Sequence, residues 1–159
     1  MILYHGSNVA VIEPKIISSD RKLDFGSGFY LTTSLEQAMR WADLTTQRRK
    51  SGKGTVTVYD FDEKKSKDLK ILIFEKPDFA WLKYTANNRN GVVVSDDYDI
   101  VSGPVANDRT APVLTAYFSG IYNEEETIKR LIPQKLKDQF AFKTEQALKC
   151  LTVCEVISK

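Results

Sequence analysis

The chain has very few of the residues that metal and redox sites need. Its 159 residues include one histidine and two cysteines, Cys150 and Cys154, which lie close together near the C-terminus. A zinc site in a protein normally takes three or four ligands, so this supply predicts no metal site. Free cysteine is often buried as a small apolar residue. We therefore expect two reduced, partly buried thiols, a use of cysteine that suits a reducing compartment.

Long apolar runs and a dominant charge are also lacking. No stretch approaches the roughly 20 apolar residues that span a membrane, and the N-terminus lacks the basic start and apolar core of a signal peptide. The 23 Lys and Arg residues nearly balance the 21 Asp and Glu residues, for a formal net charge of +2. A nucleic-acid binder usually carries a denser basic stripe. These absences predict a cytoplasmic protein without a membrane partner, and they leave a polyanionic partner open.

What remains is the composition of one ordinary folded domain. Hydrophobic residues make up 42% of the chain and charged residues 28%, which is typical of globular proteins. The length fits a single domain over residues 1–159 that can bury a core without disulfides.

Short strands and helices follow one another without a regular rhythm. Alternating β-branched and aromatic residues predict a strand over Thr55–Phe61. Apolar residues at helical spacing predict a helix from about residue 34 to Arg49, begun by a capping box of Thr33 and Glu36 or by Ser34. Further strands are expected at 2–5, 9–12, 29–31, 70–74, near 100, 137–142 and 151–157, and further helices after Pro77, around 114–121, after Asn123 and after Thr144. This order predicts an α+β fold with a mostly antiparallel or split sheet.

The single histidine is the first candidate for a ligand site. His5 ends the first predicted strand directly before Gly6 and Ser7, and a glycine at a strand end lets a ligand approach the backbone closely. The alternative is a surface histidine or one satisfied within the core.

Two more candidates follow from the alternation of side chains along strands. If Phe29 and Leu31 face the core, Tyr30 points to the open face beside the glycine-rich turn at 26–28, where its ring would be a stacking platform. If the two phenylalanines of the late strand share one face, Gln139 lies on the other and can line a cleft. The alternatives are a half-buried structural tyrosine and a solvent-exposed glutamine.

Arg21 and Arg109 are candidates for phosphate contacts, because a guanidinium fork matches phosphate geometry. Either could equally be a solvated surface charge. The glycine-rich turn matches neither the dinucleotide fingerprint GxGxxG nor the phosphate-binding loop GxxxxGK[ST].

Taken together, five motifs resemble a family of small bacterial proteins of unknown function that is grouped with the ADP-ribosyltransferase superfamily. The motifs are LYHGS at 3–7, LDFGSGFYLTT at 23–33, QAMRWA at 37–42, YDIVSGPVAND at 98–108 and DQFAFKT at 138–144. The resemblance covers nearly the whole chain. It implies a split β-sheet flanked by helices, with NAD as co-substrate.

The resemblance also implies roles for individual residues in the His–Tyr–Glu branch of that superfamily. His5 would hydrogen-bond the adenine-side ribose, the Gly6 backbone would hold the nicotinamide amide, and Tyr30 would stack on the nicotinamide ring. The NAD-binding residues expected on this basis are His5, Gly6, Ser7, Gly28, Phe29, Tyr30, Thr32, Arg21 and Arg109.

The third position departs from the family pattern. The late strand offers Gln139 where the branch has glutamate, with Glu145 and Glu155 as the other carboxylates nearby in sequence. Glutamate orients the nicotinamide-ribose hydroxyl and stabilises positive charge in an oxocarbenium-like transition state. Glutamine can make the hydrogen bond but supplies no charge and cannot act as a general base. We therefore expect weaker stabilisation and an acceptor that is already nucleophilic.

The resemblance predicts an NAD-dependent mono-ADP-ribosyltransferase that modifies a macromolecule, with His5, Tyr30 and Gln139 as its catalytic residues. It also implies a toxin or phage-defence effector held by a small antitoxin protein. Two other readings stay open: an NAD-binding module that has lost turnover, and a protein or nucleic-acid interaction domain with no nucleotide site.

Overall fold

Short strands and helices alternate irregularly in the computed structural model, which describes residues 1–16, 23–92, 97–106 and 110–158. The strands there are β1 (Ile2–Ser7), β2 (Phe29–Leu31), β3 (Thr55–Phe61), β4 (Ile71–Ile73), β5 (Ile100–Pro104), β6 (Asp138–Phe142) and β7 (Leu151–Ser158). The helices are α1 (Leu35–Arg49), α2 (Phe79–Arg89), α3 (Ala111–Phe118), α4 (Glu124–Leu131) and α5 (Glu145–Leu148).

The strands form two sheets. The first has the order β1-β3-β7 and is antiparallel throughout. The second has the order β2-β6-β5-β4, in which only the β4–β5 pair is parallel. An antiparallel bridge between Tyr4 and Thr32 joins the edge of one sheet to the edge of the other. The predicted α+β class with mostly antiparallel pairing is confirmed.

Strands β2, β5 and β6 of the second sheet pack against a core cluster on each face. Phe29, Leu31 and Phe142 belong to a core cluster shared with the first sheet. Ala141 belongs to a different cluster, which holds Trp81 of α2 and against which Tyr30 packs. The alternation predicted for β2 and β6 is therefore confirmed, but the face that carries Tyr30 is covered by the second cluster and is not open as predicted. The alternation turns Tyr30 and Gln139 toward the same side of the sheet, because Tyr30 pairs with Ala141 two residues along from Gln139.

Helix α1 lies directly against β1, and Gly6 makes this contact possible. A Cβ atom at Gly6 would stand 1.9 Å from the Ala38 carbonyl oxygen and 2.8 Å from the Ala42 nitrogen. Both alanines are fully buried. The absence of a side chain at Gly6 therefore sets how closely α1 covers the first sheet.

Helix α1 begins at Ser34 rather than at the capping box of Thr33 and Glu36. The Ser34 hydroxyl accepts a hydrogen bond of 3.2 Å from the Gln37 N–H. Thr33 is occupied elsewhere, since its N–H and hydroxyl donate to the Asp138 carboxylate at 2.8 and 2.5 Å. Because the Thr33 N–H is already bonded to Asp138, it cannot complete a capping box with Glu36, and Ser34 caps the helix.

The strand predicted at 9–12 does not form, although the segment is anchored. The Val11 N–H donates to the Thr57 hydroxyl at 3.0 Å, and the Tyr59 hydroxyl donates to the Val11 carbonyl. Side chains of β3 thus satisfy the backbone groups that a neighbouring strand would have taken. The segment lies over the first sheet as irregular chain instead.

Candidate active site

One large cavity opens where the two sheets meet. Its volume is about 780 Å³, within the usual range for small-molecule and cofactor sites. Its walls come from the ends of β1, β2 and β6, from the segment at 9–15, from the loop at 23–28, and from α1 and α2. The cavity therefore draws on parts of the chain that are far apart in sequence.

His5 lines this cavity, and the hydrogen bond of one ring nitrogen defines the role of the other. Its Nδ1 lies 2.7 Å from the Tyr30 carbonyl oxygen. A carbonyl can only accept, so Nδ1 carries the proton and Nε2 of the neutral ring is an acceptor. The ring also stacks on Phe29 with centroids 4.1 Å apart. Burial lowers the pKa of His5 to about 4, against a smaller opposing effect of the Tyr30 hydrogen bond. At neutral pH the site therefore holds an uncharged imidazole.

Tyr30 combines a ring that lines the cavity with a hydroxyl that fixes the adjacent loop. The hydroxyl donates to the Gly26 carbonyl at 2.6 Å and accepts from the Phe25 N–H at 3.1 Å. The Lys143 ammonium donates to the Phe25 carbonyl at 2.8 Å. Burial raises the pKa of the Tyr30 hydroxyl well above its usual range. The phenol thus stays protonated and serves as a clamp on the loop beside the cavity.

Gln139 stands at the floor of the cavity beside a buried carboxylate. Its amide nitrogen donates to Asp24 Oδ2 at 2.8 Å and to the Pro104 carbonyl at 3.1 Å. Both partners are acceptors here, which fixes the orientation of the amide. Asp24 is also paired with Arg89, whose Nε lies 2.5 Å from Asp24 Oδ1. Since both amide protons are used, the amide oxygen of Gln139 is the group left for a ligand.

One face of α1 supplies a cationic wall. Trp41, Leu44, Thr45 and Arg48 line the cavity at i, i+3, i+4 and i+7. Arg49 also lines it, held by a 2.8 Å hydrogen bond from Nη1 to Asn8 Oδ1.

Most of the residues predicted for the site meet in this cavity. Those that line it are His5, Gly6, Ser7, Gly28, Phe29, Tyr30 and Gln139. Thr32 lies elsewhere: it is fully buried and its hydroxyl donates to Asp138 at 3.0 Å, so it braces β6 rather than the cavity. Arg21 and Arg109 lie outside the described residues.

Among the three candidates for the third catalytic position, only Gln139 lines the cavity. Glu145 begins α5 and is exposed. Glu155 is exposed on β7, opposite Val58. Neither carboxylate is placed to act with His5 and Tyr30.

Six charged residues that line the cavity escaped the sequence reasoning: Glu13, Lys15, Asp24, Arg48, Arg49 and Arg89. Arg48 and Arg49 look like a short basic cluster at a helix end. The signal that identifies the side of the helix on which Arg48 lies is a second stripe at helical spacing that begins at Trp41 and runs beside the apolar face. Asp24 and Arg89 carry no such signal, because 65 residues separate them and only the fold pairs them.

The cysteines lie away from the cavity and differ from each other. Cys150 is buried as expected, whereas Cys154 is exposed on β7, an edge strand of the first sheet. Both are free thiols. Across the described ranges, no cluster of three or more His, Cys, Asp or Glu side chains is arranged to hold a metal ion. No helix in those ranges is long and apolar enough to cross a lipid bilayer.

Similarity to known proteins identifies a family for the chain and no individual relative. No curated protein and no solved structure matches it. One family model, described as a protein of unknown function (DUF3990), matches residues 1–153. That match spans nearly the whole chain, and the protein therefore belongs to the DUF3990 family.

Proposed function

We propose that this protein is an NAD-dependent mono-ADP-ribosyltransferase. One observation carries the proposal: His5, Tyr30 and Gln139, from three strands, line the same cavity of about 780 Å³. The motif resemblance links these three residue types to NAD. Two sheets joined edge to edge and covered by helices also suit the split β-sheet of that superfamily.

Each of the three side chains has chemistry that suits its proposed part of NAD. The unprotonated Nε2 of His5 accepts a hydrogen bond from a hydroxyl of the adenine-side ribose. The Tyr30 ring stacks on the nicotinamide, whose amide binds the Gly6 backbone. The amide oxygen of Gln139 accepts from a hydroxyl of the nicotinamide ribose.

The cationic wall is where we place the diphosphate. NAD carries two negative charges there, and Arg48 and Arg49 line the cavity together with Lys15. Guanidinium groups bind phosphate oxygens with matched geometry. Arg21 and Arg109, the arginines first expected in this role, are not required for this assignment.

The reaction breaks the bond between the ribose C1′ and the nicotinamide nitrogen. The bonding electrons leave with nicotinamide, which departs neutral, and an oxocarbenium-like ribose develops. A nucleophilic atom of the macromolecular acceptor then bonds to C1′ and releases its proton to solvent. His5 is uncharged and Gln139 cannot take a proton, so the site favours an acceptor that is already nucleophilic.

We propose that the protein acts in the cytoplasm as a toxin or phage-defence effector that a small antitoxin controls.

The test is transfer of label from NAD to macromolecules in a lysate, together with release of free nicotinamide. Wild type is compared with His5→Ala, Tyr30→Ala and Gln139→Ala, and with exposed Gln47→Ala as the control. We expect label and nicotinamide with wild type and the control and a strong loss in the three site variants. Unchanged labelling in all three would contradict the site assignment.

A second candidate is an NAD-binding module without turnover. The observation that favours it is the neutral amide at Gln139, beside a carboxylate already held by Arg89. Calorimetry with NAD separates the two, because binding without nicotinamide release supports the module. Absence of binding at millimolar NAD would favour the remaining alternative, a domain that interacts with protein or nucleic acid.

A further inference from the structure

A buried carboxylate, Asp24, lies at the floor of the cavity, and the motif resemblance assigns it no role. Asp24 is only 6% exposed, and both of its carboxylate oxygens have specific partners. Oδ1 meets Arg89 Nε, and Oδ2 accepts from the Gln139 amide nitrogen. A buried carboxylate is costly unless it is paired and hydrogen-bonded, so this arrangement is a built feature of the site.

We infer that Asp24 is a positioning residue that acts through Gln139, an inference that rests on the proposed function. Two residues here share the role that the resemblance assigns to a single glutamate at position 139. Gln139 supplies the oxygen that accepts from the ribose hydroxyl, and Asp24 supplies the negative charge behind it. The ligand chemistry addressed is a ribose that becomes positively charged as its glycosidic bond breaks.

The geometry of the amide explains how the charge is transmitted. A carboxylate that accepts from the amide nitrogen polarises the amide and makes its oxygen a stronger acceptor. The second acceptor, the Pro104 carbonyl, acts on the same nitrogen from β5. Together the two acceptors keep the amide from flipping. A flipped amide would present N–H donors to a developing positive charge, which is unfavourable.

Arg89, which also lines the cavity, stabilises the buried carboxylate through one oxygen and leaves the other to Gln139. It contacts Asp24 Oδ1, the oxygen that Gln139 does not use. Its side chain is 37% exposed, so water screens part of its charge, whereas Asp24 is shielded from water. The loop that carries Asp24 is fixed in turn by the Tyr30 hydroxyl at Phe25 and Gly26.

This arrangement predicts that restoring the expected glutamate harms the site. In Gln139→Glu, two carboxylates would stand at hydrogen-bond distance, and only one of them can stay ionised at neutral pH. In Asp24→Asn, the new amide has one acceptor oxygen instead of two, so it cannot accept from Arg89 and Gln139 on separate oxygens. Combining the two substitutions rebuilds a carboxylate–amide pair with the donor on residue 24. The Pro104 contact is still lost, so recovery should be partial.

The experiment measures kcat and KM for nicotinamide release from NAD, with thermal unfolding, for wild type, both single variants and the double variant. Exposed Asp68→Asn and Gln47→Glu are matched controls. We expect Asp24→Asn to lower kcat about tenfold or more with a smaller change in KM, because the charge acts mainly in the transition state. Gln139→Glu should lose activity at pH 8 and regain part of it toward pH 5.5.

The double variant distinguishes a positioning role from a merely structural one. We expect its kcat at pH 8 to exceed that of Gln139→Glu by about tenfold, a coupling that independent sites would not give. Fully active Gln139→Glu, unaffected Asp24→Asn or strictly multiplicative effects would overturn the inference while wild type still turns over NAD. No NAD binding by wild type would overturn the proposed function and this inference with it.

Discussion

The ring nitrogens of His5 have different tasks. Nδ1 is committed to the Tyr30 carbonyl at 2.7 Å, and the stack on Phe29 holds the plane of the ring. Nε2 is then an acceptor as long as the ring is neutral. Protonation would convert that acceptor into a donor and would place a charge in a partly buried site. The behaviour of the chain's only histidine with pH therefore reports directly on the site.

We predict that stability falls as His5 is protonated. The pKa of His5 is about 4 in the folded protein, against about 6.5 for an unperturbed histidine. Between these values the unfolded chain binds the extra proton, so stability is full above pH 6.5 and declines toward pH 4, by about 3 kcal/mol in total. Denaturant unfolding from pH 7 to 4.5 measures this, with His5→Gln expected to show a flatter profile. A histidine pKa near 6.5 by NMR would contradict it.

At Tyr30 we predict separate effects of the hydroxyl and the ring. Tyr30→Phe removes both hydrogen bonds to the loop at Phe25 and Gly26 and leaves a partly buried N–H without its partner. We expect a loss of about 1–3 kcal/mol in unfolding free energy. NAD affinity should fall less than in Tyr30→Ala, because the ring face remains. Tyr122→Phe is the control, since its ring contact with Arg130 needs no hydroxyl. Equal stability of the two phenylalanine variants would argue against the clamp.

At the scale of elements, the contact between β1 and α1 determines the shape of the cavity. β1 carries His5 and α1 carries the cationic wall, and Gly6 is the point where they touch. A shift of the helix axis would therefore move the arginines relative to the imidazole. The packing of β1 against α1 therefore also determines the geometry of the site.

Gly6→Ala should consequently impair folding and binding together. Its Cβ would overlap the Ala38 carbonyl, a backbone atom that cannot rotate away. We expect about 3 kcal/mol of destabilisation, the upper part of the range for overpacking. Gly120→Ala is the comparison: it has open space but a φ of +79°, so about 1 kcal/mol is expected from the backbone alone. Thermal unfolding of both variants checks this, and a Gly6→Ala protein as stable as wild type would contradict it.

The elements were largely predictable because their signals are local. The alternation in β3, the apolar stripe of α1 and the cap at Asn123 each lie within a few residues. The segment at 9–12 has the composition of a strand, but its backbone partners are hydroxyls of β3. Thr33 likewise loses its cap role to Asp138, 105 residues away. Local patterns fail where a distant side chain competes for the backbone.

At the scale of the whole molecule, the cavity exists because two sheets meet at one edge. Alternation within β2 and β6 predicted that Tyr30 and Gln139 point away from the face of Phe29 and Phe142, and the order of strands then places them together. The ion pair of Asp24 with Arg89 could not be predicted in this way, because it joins a loop to the end of a helix. The positions of the ring and amide groups could be predicted from strand periodicity. The pairing of the charged groups could not, because it depends on tertiary contacts.

The most direct measurement is an NMR titration of the His5 ring with NAD, since one histidine gives one set of ring signals. We predict a saturable shift of those signals with wild type, a similar shift with Gln47→Ala, and a much weaker one with Tyr30→Ala. Ring signals that stay unchanged up to millimolar NAD would contradict the claim that His5, Tyr30 and Gln139 form an NAD site.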